Sequence, residues 1–162
     1  MLSSPYMYRL TIVAVGSLKE PFWKDAISEY AKRLSPSAKM NVIEVTETPF
    51  KSQGEAPAVM RAEAEALKKK IPDGAYVIAM DKGGKRPTSE EFAAWIAREG
   101  EGGREIVFVI GGPLGLDPAF VRECHATLSL SSLTFTHCEA RAVLFEQLYR
   151  ATTILAGKTY HY

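Results

Sequence analysis

The sequence has 162 residues, 20 Lys plus Arg against 19 Asp plus Glu, two Cys and 46% hydrophobic residues. That length suits one domain of ~100–200 residues and buries a core without a metal or disulfide staple. The balanced charge excludes a disordered chain, and it excludes a protein that grips nucleic acid by electrostatics alone: residues 1–80 carry 11 basic and 9 acidic groups, residues 81–162 carry 9 and 10.

Met1 to Tyr6 read as a loose extension ahead of Met7, with a single domain over 7–162. Tyr8 to Val15 is a β-branched run ending at Gly16 and predicts the first strand. Pro21 opens a helix carrying Phe22, Ala26, Ile27, Tyr30 and Leu34 at helical spacing, stopped before Ser35-Pro36. Met40 to Thr46 predicts a second strand, and an Ala/Glu/Lys-rich helix runs from about Glu55 to Lys70. Ala75 to Met80 is a third strand, apolar enough to be covered on both faces. Asp81 to Pro87 reads as loop, and Thr88 with Glu91 gives a capping-box signature for the next helix. Glu105 to Ile110 is the fourth strand and enters Gly111-Gly112-Pro113-Leu114-Gly115. A short helix from about Asp117 to His125 leads to a fifth strand around Thr127 to Leu130, and a last helix spans roughly Cys138 to Leu155. This alternation predicts an α/β domain with a mainly parallel five- to six-stranded sheet flanked by helices. No apolar run approaches the ~20 residues of a membrane-spanning helix, so no membrane partner is expected. Two Cys read as reduced thiols of a cytoplasmic protein.

Ligands of such sheets bind beyond the carboxyl ends of the strands, where three unusual loops fall: Asp81–Pro87, Gly111–Gly115 and Leu130–His137. The glycine loop matches neither the dinucleotide nor the P-loop pattern, which leaves close backbone approach to some other ligand. Leu128 to His137 (LSLSSLTFTH) offers three serines and two threonines; the local alternative is turn chemistry with an N-cap at Thr136 and Glu139 three residues on. His137 then stands at a helix N-terminus, where the dipole disfavours its charged form. Cys124-His125 and His137-Cys138 have poor spacing for zinc, so no metal is expected, and Cys138 lacks the spacing of a nucleophile with its base. The terminal Tyr160, His161 and Tyr162 would close a core, zip a dimer or stack on a base.

Five segments occur in order: LTIVAVG at 10–16, E-Y-x-K-R-L at Glu29–Leu34, F-V-I-G-G-P-x-G at Phe108–Gly115, L-S-L-S-x-L-T-F-x-H at Leu128–His137, and E-Q-L-Y-R-A at Glu146–Ala151 followed by a terminal Y-H. Together they resemble the SPOUT methyltransferases that methylate N3 of a pseudouridine in bacterial large-subunit (23S) ribosomal RNA. The resemblance implies S-adenosylmethionine as methyl donor, a homodimer, a C-terminal trefoil knot and a substrate presented by the assembled ribosome. By position it implies a donor pocket of Met80, Gly111, Leu130, Ser131, Ser132, Leu133, Thr134 and Phe135. His137, Arg141, Tyr160 and His161 are the candidates nearest the reaction: Arg141 for an anion or phosphate, Tyr160 for stacking on the base, His161 to orient or deprotonate it. Arg150 more naturally supports packing or the dimer. Two positions depart from the family pattern, Thr136 where Pro is common and Tyr162 where a basic residue usually follows Y-H.

Overall fold

Parallel pairing dominates the computed structural model, which describes residues 7–160. Among the described residues five strands stand in the order β2-β1-β4-β3-β5. β1 (Tyr8–Val15) lies between β2 (Ala38–Val45) and β4 (Glu105–Ile110), and β3 (Tyr76–Lys85) lies between β4 and β5 (Ala126–Leu128), every pair parallel. Parallel neighbours need long crossovers, supplied here by α1 (Pro21–Leu34), α2 (Ala56–Lys68), α3 (Ser89–Glu99) and α4 (Pro118–Glu123); α5 (His137–Leu155) follows β5. The expected loose extension, 1–6, falls outside the described residues.

Alternation along the strands divides the core in two. Leu10, Ile12, Ile78 and Phe108 face Leu34 of α1, Phe92 and Ile96 of α3, and Leu144, Phe145 and Leu148 of α5. Val13, Val15, Val77, Val107 and Val109 face Ala64 and Leu67 of α2 and Phe120 of α4. Both faces are therefore covered, which is why β1 and β4 read as largely apolar runs. No described helix is long and apolar enough to cross a membrane.

Asp81–Pro87, expected as loop, is corrected in part: β3 continues to Lys85. Its register breaks between Met80 and Lys85, both of which pair with Leu128, and the Asp81 carboxylate accepts the Gly83 N–H at 3.1 Å. A Cβ on Gly84 would come within 2.8 Å of the Leu128 backbone, so only glycine lets the irregular strand lie this close to β5. β5 ends at Leu128, two residues earlier than expected, which leaves Leu130 in the loop beyond it. α5 opens one residue earlier than expected, at His137, with Thr136 as its cap. Glu139 N–H donates to Thr136 Oγ1 at 3.2 Å and Thr136 N–H to Glu139 Oε2 at 2.9 Å, a complete capping box that starts the helix without a proline.

Candidate active site

Three chain segments leave the carboxyl edge of the sheet and enclose a cavity of about 600 Å³. The end of β3 contributes Met80, Asp81 and Lys82, the loop after β4 contributes Gly111 to Pro113 with Gly115 and Leu116, and the loop after β5 contributes residues from Leu128 through His137. Seven of the eight expected donor-pocket residues line it: Met80, Gly111, Leu130, Ser131, Leu133, Thr134 and Phe135. Ser132 does not; its hydroxyl takes a hydrogen bond from Arg86 instead. Leu133 is 73% exposed, at the mouth rather than the floor.

Local bonding explains how an irregular loop holds this shape. Ser129 N–H donates to the Lys85 carbonyl at 2.8 Å, Ser129 Oγ to the Ser131 carbonyl at 2.8 Å, and Leu133 N–H to Ser131 Oγ at 3.0 Å. Lys82 Nζ reaches across to Thr134 Oγ1 at 3.2 Å. The serines thus act as turn formers, as their local chemistry predicts, while their backbone lines the cavity. The glycine loop is tighter still. A Cβ on Gly111 would lie 2.9 Å from the carbonyl carbon of Gly115, so the loop folds onto itself over bare backbone.

His137 borders this cavity and also a second cleft of about 430 Å³ lined by Gly16, Ser17, Lys19, Glu20, Glu44, Thr46, Glu47 and Cys138. Burial lowers its proton affinity, and Arg141 lowers it further, against the opposing pull of Glu47, Glu20 and Glu44. The helix N-terminus acts in the same direction as burial. The result is a neutral imidazole able to accept a hydrogen bond. Burial likewise raises the Cys138 thiol, which keeps it protonated and a poor nucleophile.

Arg141 lies one turn further into α5 and is 1% exposed. Its Nη1 meets Glu44 Oε2 at 2.7 Å and its Nη2 donates to the Gly16 carbonyl at 3.4 Å, while Nε has no partner among the described residues. In this arrangement the guanidinium ties α5 to β1 and β2 and lines neither cleft. Tyr160 is elsewhere again. Its hydroxyl donates to Glu146 Oε1 at 3.2 Å, its ring meets Tyr149 edge-on at 4.7 Å, and Arg150 stacks over it at 4.7 Å. Glu146 is nine residues beyond His137, about 14 Å along the helix axis, so one chain does not bring Tyr160 to the cavity. His161, the remaining candidate, lies outside the described residues, as does Tyr162. His125 accepts the Val77 N–H on Nδ1 at 3.0 Å and stacks on Tyr76, while Cys124 donates to the Phe120 carbonyl at 3.3 Å.

A family model described as "Predicted SPOUT methyltransferase" matches residues 8–161. The chain belongs to the SPOUT methyltransferase family. It is 45% identical to "Ribosomal RNA large subunit methyltransferase H" of Bifidobacterium animalis subsp. lactis and 40% identical to the protein of that name in Clostridium beijerinckii; both matches cover 94% of this chain and 98% of the relative. Solved structures share its fold. A probable methyltransferase of Bordetella pertussis Tohama I superposes with a TM-score of 0.55 over 90% of this chain and 95% of that one, and TrmJ of Z. mobilis ZM4 with 0.50 over 90% and 70%, each at 16% identity.

SPOUT methyltransferases use S-adenosylmethionine, and the cavity fits such a molecule. Its volume lies within the ~300–1,000 Å³ typical of ligand pockets. Gly111, Gly112 and Gly115 line the cavity with bare backbone, and Ile110, Leu116, Leu128 and Leu130 supply apolar walls. Sequence reasoning missed Glu44, whose side chain fixes Arg141 from β2, and Gly112 with Leu116 in the cavity wall. The glycine motif pointed to the second group; nothing in the strand around Glu44 pointed to the first.

Proposed function

We propose that this SPOUT methyltransferase methylates N3 of a pseudouridine in bacterial large-subunit (23S) ribosomal RNA, as a cytoplasmic homodimer acting on the assembled ribosome. The observation that carries the reading is the convergence of Met80, Gly111 and the Leu130–Phe135 loop on one cavity at the strand ends. Relatives named for large-subunit RNA, aligned over 94% of the chain, supply the substrate class. The trefoil knot implied for the C-terminal segments belongs to the same reading.

S-adenosylmethionine, when bound, supplies a methyl already activated on a sulfonium, so no metal is required. The chain's work is alignment, exclusion of water and removal of the N3 proton. The glycine loop and the 128–137 loop hold the donor. Neutral His137, which lines both clefts, accepts a hydrogen bond or proton from the incoming nucleotide. Arg141 positions the N-terminal end of α5 through Glu44 and keeps His137 neutral. Tyr160 and His161 handle the base in the cavity of the partner subunit, since within one protomer Tyr160 packs near Glu146. A charge of +1 suits a dimer that reads a preassembled shape rather than free RNA.

The test is mass spectrometry of large-subunit RNA from a strain lacking the protein, with and without its restoration. The expected result is loss and return of one methylated pseudouridine; an unchanged RNA overturns the reading. Calorimetry that finds no binding at millimolar S-adenosylmethionine would instead favour a silent ribosome-binding protein with the same fold.

A further inference from the structure

Behind the glycine loop stands a charged group that none of the roles above uses. Glu63 projects from α2 with 3% of its surface exposed, and its Oε2 has no hydrogen-bond partner among the described residues. None of the ion pairs found among those residues involves it. A buried carboxyl of this kind is costly unless something cationic or hydrogen-bonding completes it. Its proton affinity is raised, first by burial and then by Glu47, with the backbone of Thr48 pulling the other way.

The carboxyl lies against the cavity wall. A Cβ on Gly112 would sit 3.0 Å from Oε2 and 3.1 Å from Val15 Cγ1, and Gly112 itself lines the cavity. Any side chain at position 112 would displace the carboxyl from the wall. We propose that Glu63 is a specificity-determining residue for the methyl donor: its carboxylate, held behind Gly112, favours the cationic sulfonium over the neutral thioether that remains after transfer. The inference rests on the reading that the donor occupies this cavity.

The chemistry makes the distinction sharp. In transfer N3 of the base gives up its proton to a basic group or water, the carbon–sulfur bond to the methyl breaks with its electron pair staying on sulfur, and the methyl bonds to the N3 lone pair. S-adenosylmethionine and S-adenosylhomocysteine therefore differ by one methyl and one positive charge, while sharing the ammonium, the carboxylate, the ribose and the adenine. A fixed negative charge close to the cavity acts on that difference at a distance, because the field is weakly screened in a buried setting. A residue that merely supports the loop would affect both ligands alike. Asp81, Lys82 and Glu139 also line the cavity and add a constant background that a substitution at position 63 leaves in place.

The experiment is calorimetry of the full chain with S-adenosylmethionine and, separately, with S-adenosylhomocysteine, which needs no turnover. Glu63→Gln keeps the shape and removes the charge. The expected result is a loss of about fivefold to tenfold in affinity for the donor, with product affinity within about twofold of the unsubstituted protein. Glu63→Met, neutral and of similar volume, serves where the amide disturbs folding, and the same selective loss is expected. Glu63→Asp retains the charge and should retain the preference. Equal loss for both ligands, or no change in their ratio in the neutral variants, overturns the proposal. An unsubstituted protein that binds neither ligand overturns the donor-site reading, and this inference with it. One that binds both, with the variants unchanged, overturns this inference alone.

Discussion

At its N-terminal end α5 sets His137 between two clefts, caps itself with Thr136 and Glu139, and anchors its first turns through Arg141 to Glu44. Ten residues later the same helix turns aromatic. Glu146, Tyr149 and Arg150 gather around Tyr160, and Tyr30 with Arg33 of α1 packs beside them. The first end has polar groups facing open space and a depressed imidazole; the second has a phenol pushed up to about 12 by burial and by Glu146, which keeps it protonated. The residues expected near one reaction are thus divided between two ends of one helix. Within one protomer Tyr160 packs beside Glu146, well away from the cavity proposed for the donor, which is the geometric argument for the proposed partner-supplied tail.

The strongest way to break this contrast is at the cavity. Gly111→Arg places a Cβ within 2.9 Å of the Gly115 backbone and a long cation in the cavity. Donor affinity should fall by about a hundredfold or more in calorimetry. His161→Ala should slow transfer while leaving donor affinity within about twofold. Comparable loss of donor affinity in both variants would erase the division of roles.

Arg141→Met tests the anchor. The Arg141–Glu44 pair is buried on the arginine side and 40% exposed on the glutamate side, so its loss should cost about 2–3 kcal/mol rather than the full penalty of a buried pair. In a chain of this length that lowers Tm by roughly 4–12 °C. A melting temperature unchanged in scanning calorimetry would reduce the pair to a surface contact.

Smaller is the pH dependence of His137. Its folded proton affinity lies below the ordinary 6.5, so just below pH 6.5 the unfolded chain binds more protons than the folded one. That contribution to stability is complete above 6.5 and is lost as pH falls through the window below it. His137→Gln should flatten this part of a stability–pH curve measured by urea unfolding. Glu63 acts in the opposite sense: its raised folded value withdraws stability as pH climbs above 4.5, and Glu63→Gln isolates it. Smallest is Tyr160→Phe, which removes the hydroxyl that bonds Glu146 and meets Tyr30, and costs about 1 kcal/mol in thermal unfolding. A fall in methylation well beyond that small change would place the phenol at the substrate.

The fold was legible where one physical signal dominated. The largely apolar runs of β1 and β4 and the Thr88–Glu91 and Thr136–Glu139 boxes each carry their cause within a few residues. The glycine and serine loops also pointed to the cavity, because strand ends with unusual loops are where such sheets bind ligands. The extension of β3 through Asp81 to Lys85 was not legible, since its pairing rests on backbone approach at Gly84 and not on side-chain pattern. Nor was the burial of Arg141. Position 141 sits one turn from His137 in sequence, yet the partner that draws it inward, Glu44, lies 97 residues away on another element. Glu63 escaped for the same reason, being one glutamate in an alanine-rich helix with charged residues until the sheet closes over it.

The division of α5 is tested most directly by mixing two impaired protomers. Gly111→Arg lacks a working cavity and keeps its tail; His161→Ala keeps its cavity and lacks a working tail. Co-expressed and co-purified, with each variant folded by circular dichroism, they would form, in the proposed homodimer, mixed dimers in which one cavity and one tail are both intact. Transfer of labelled methyl to ribosomal RNA should rise in the mixture well above the rate of either variant alone. A mixture no faster than its parts would contradict a tail that serves the partner's cavity.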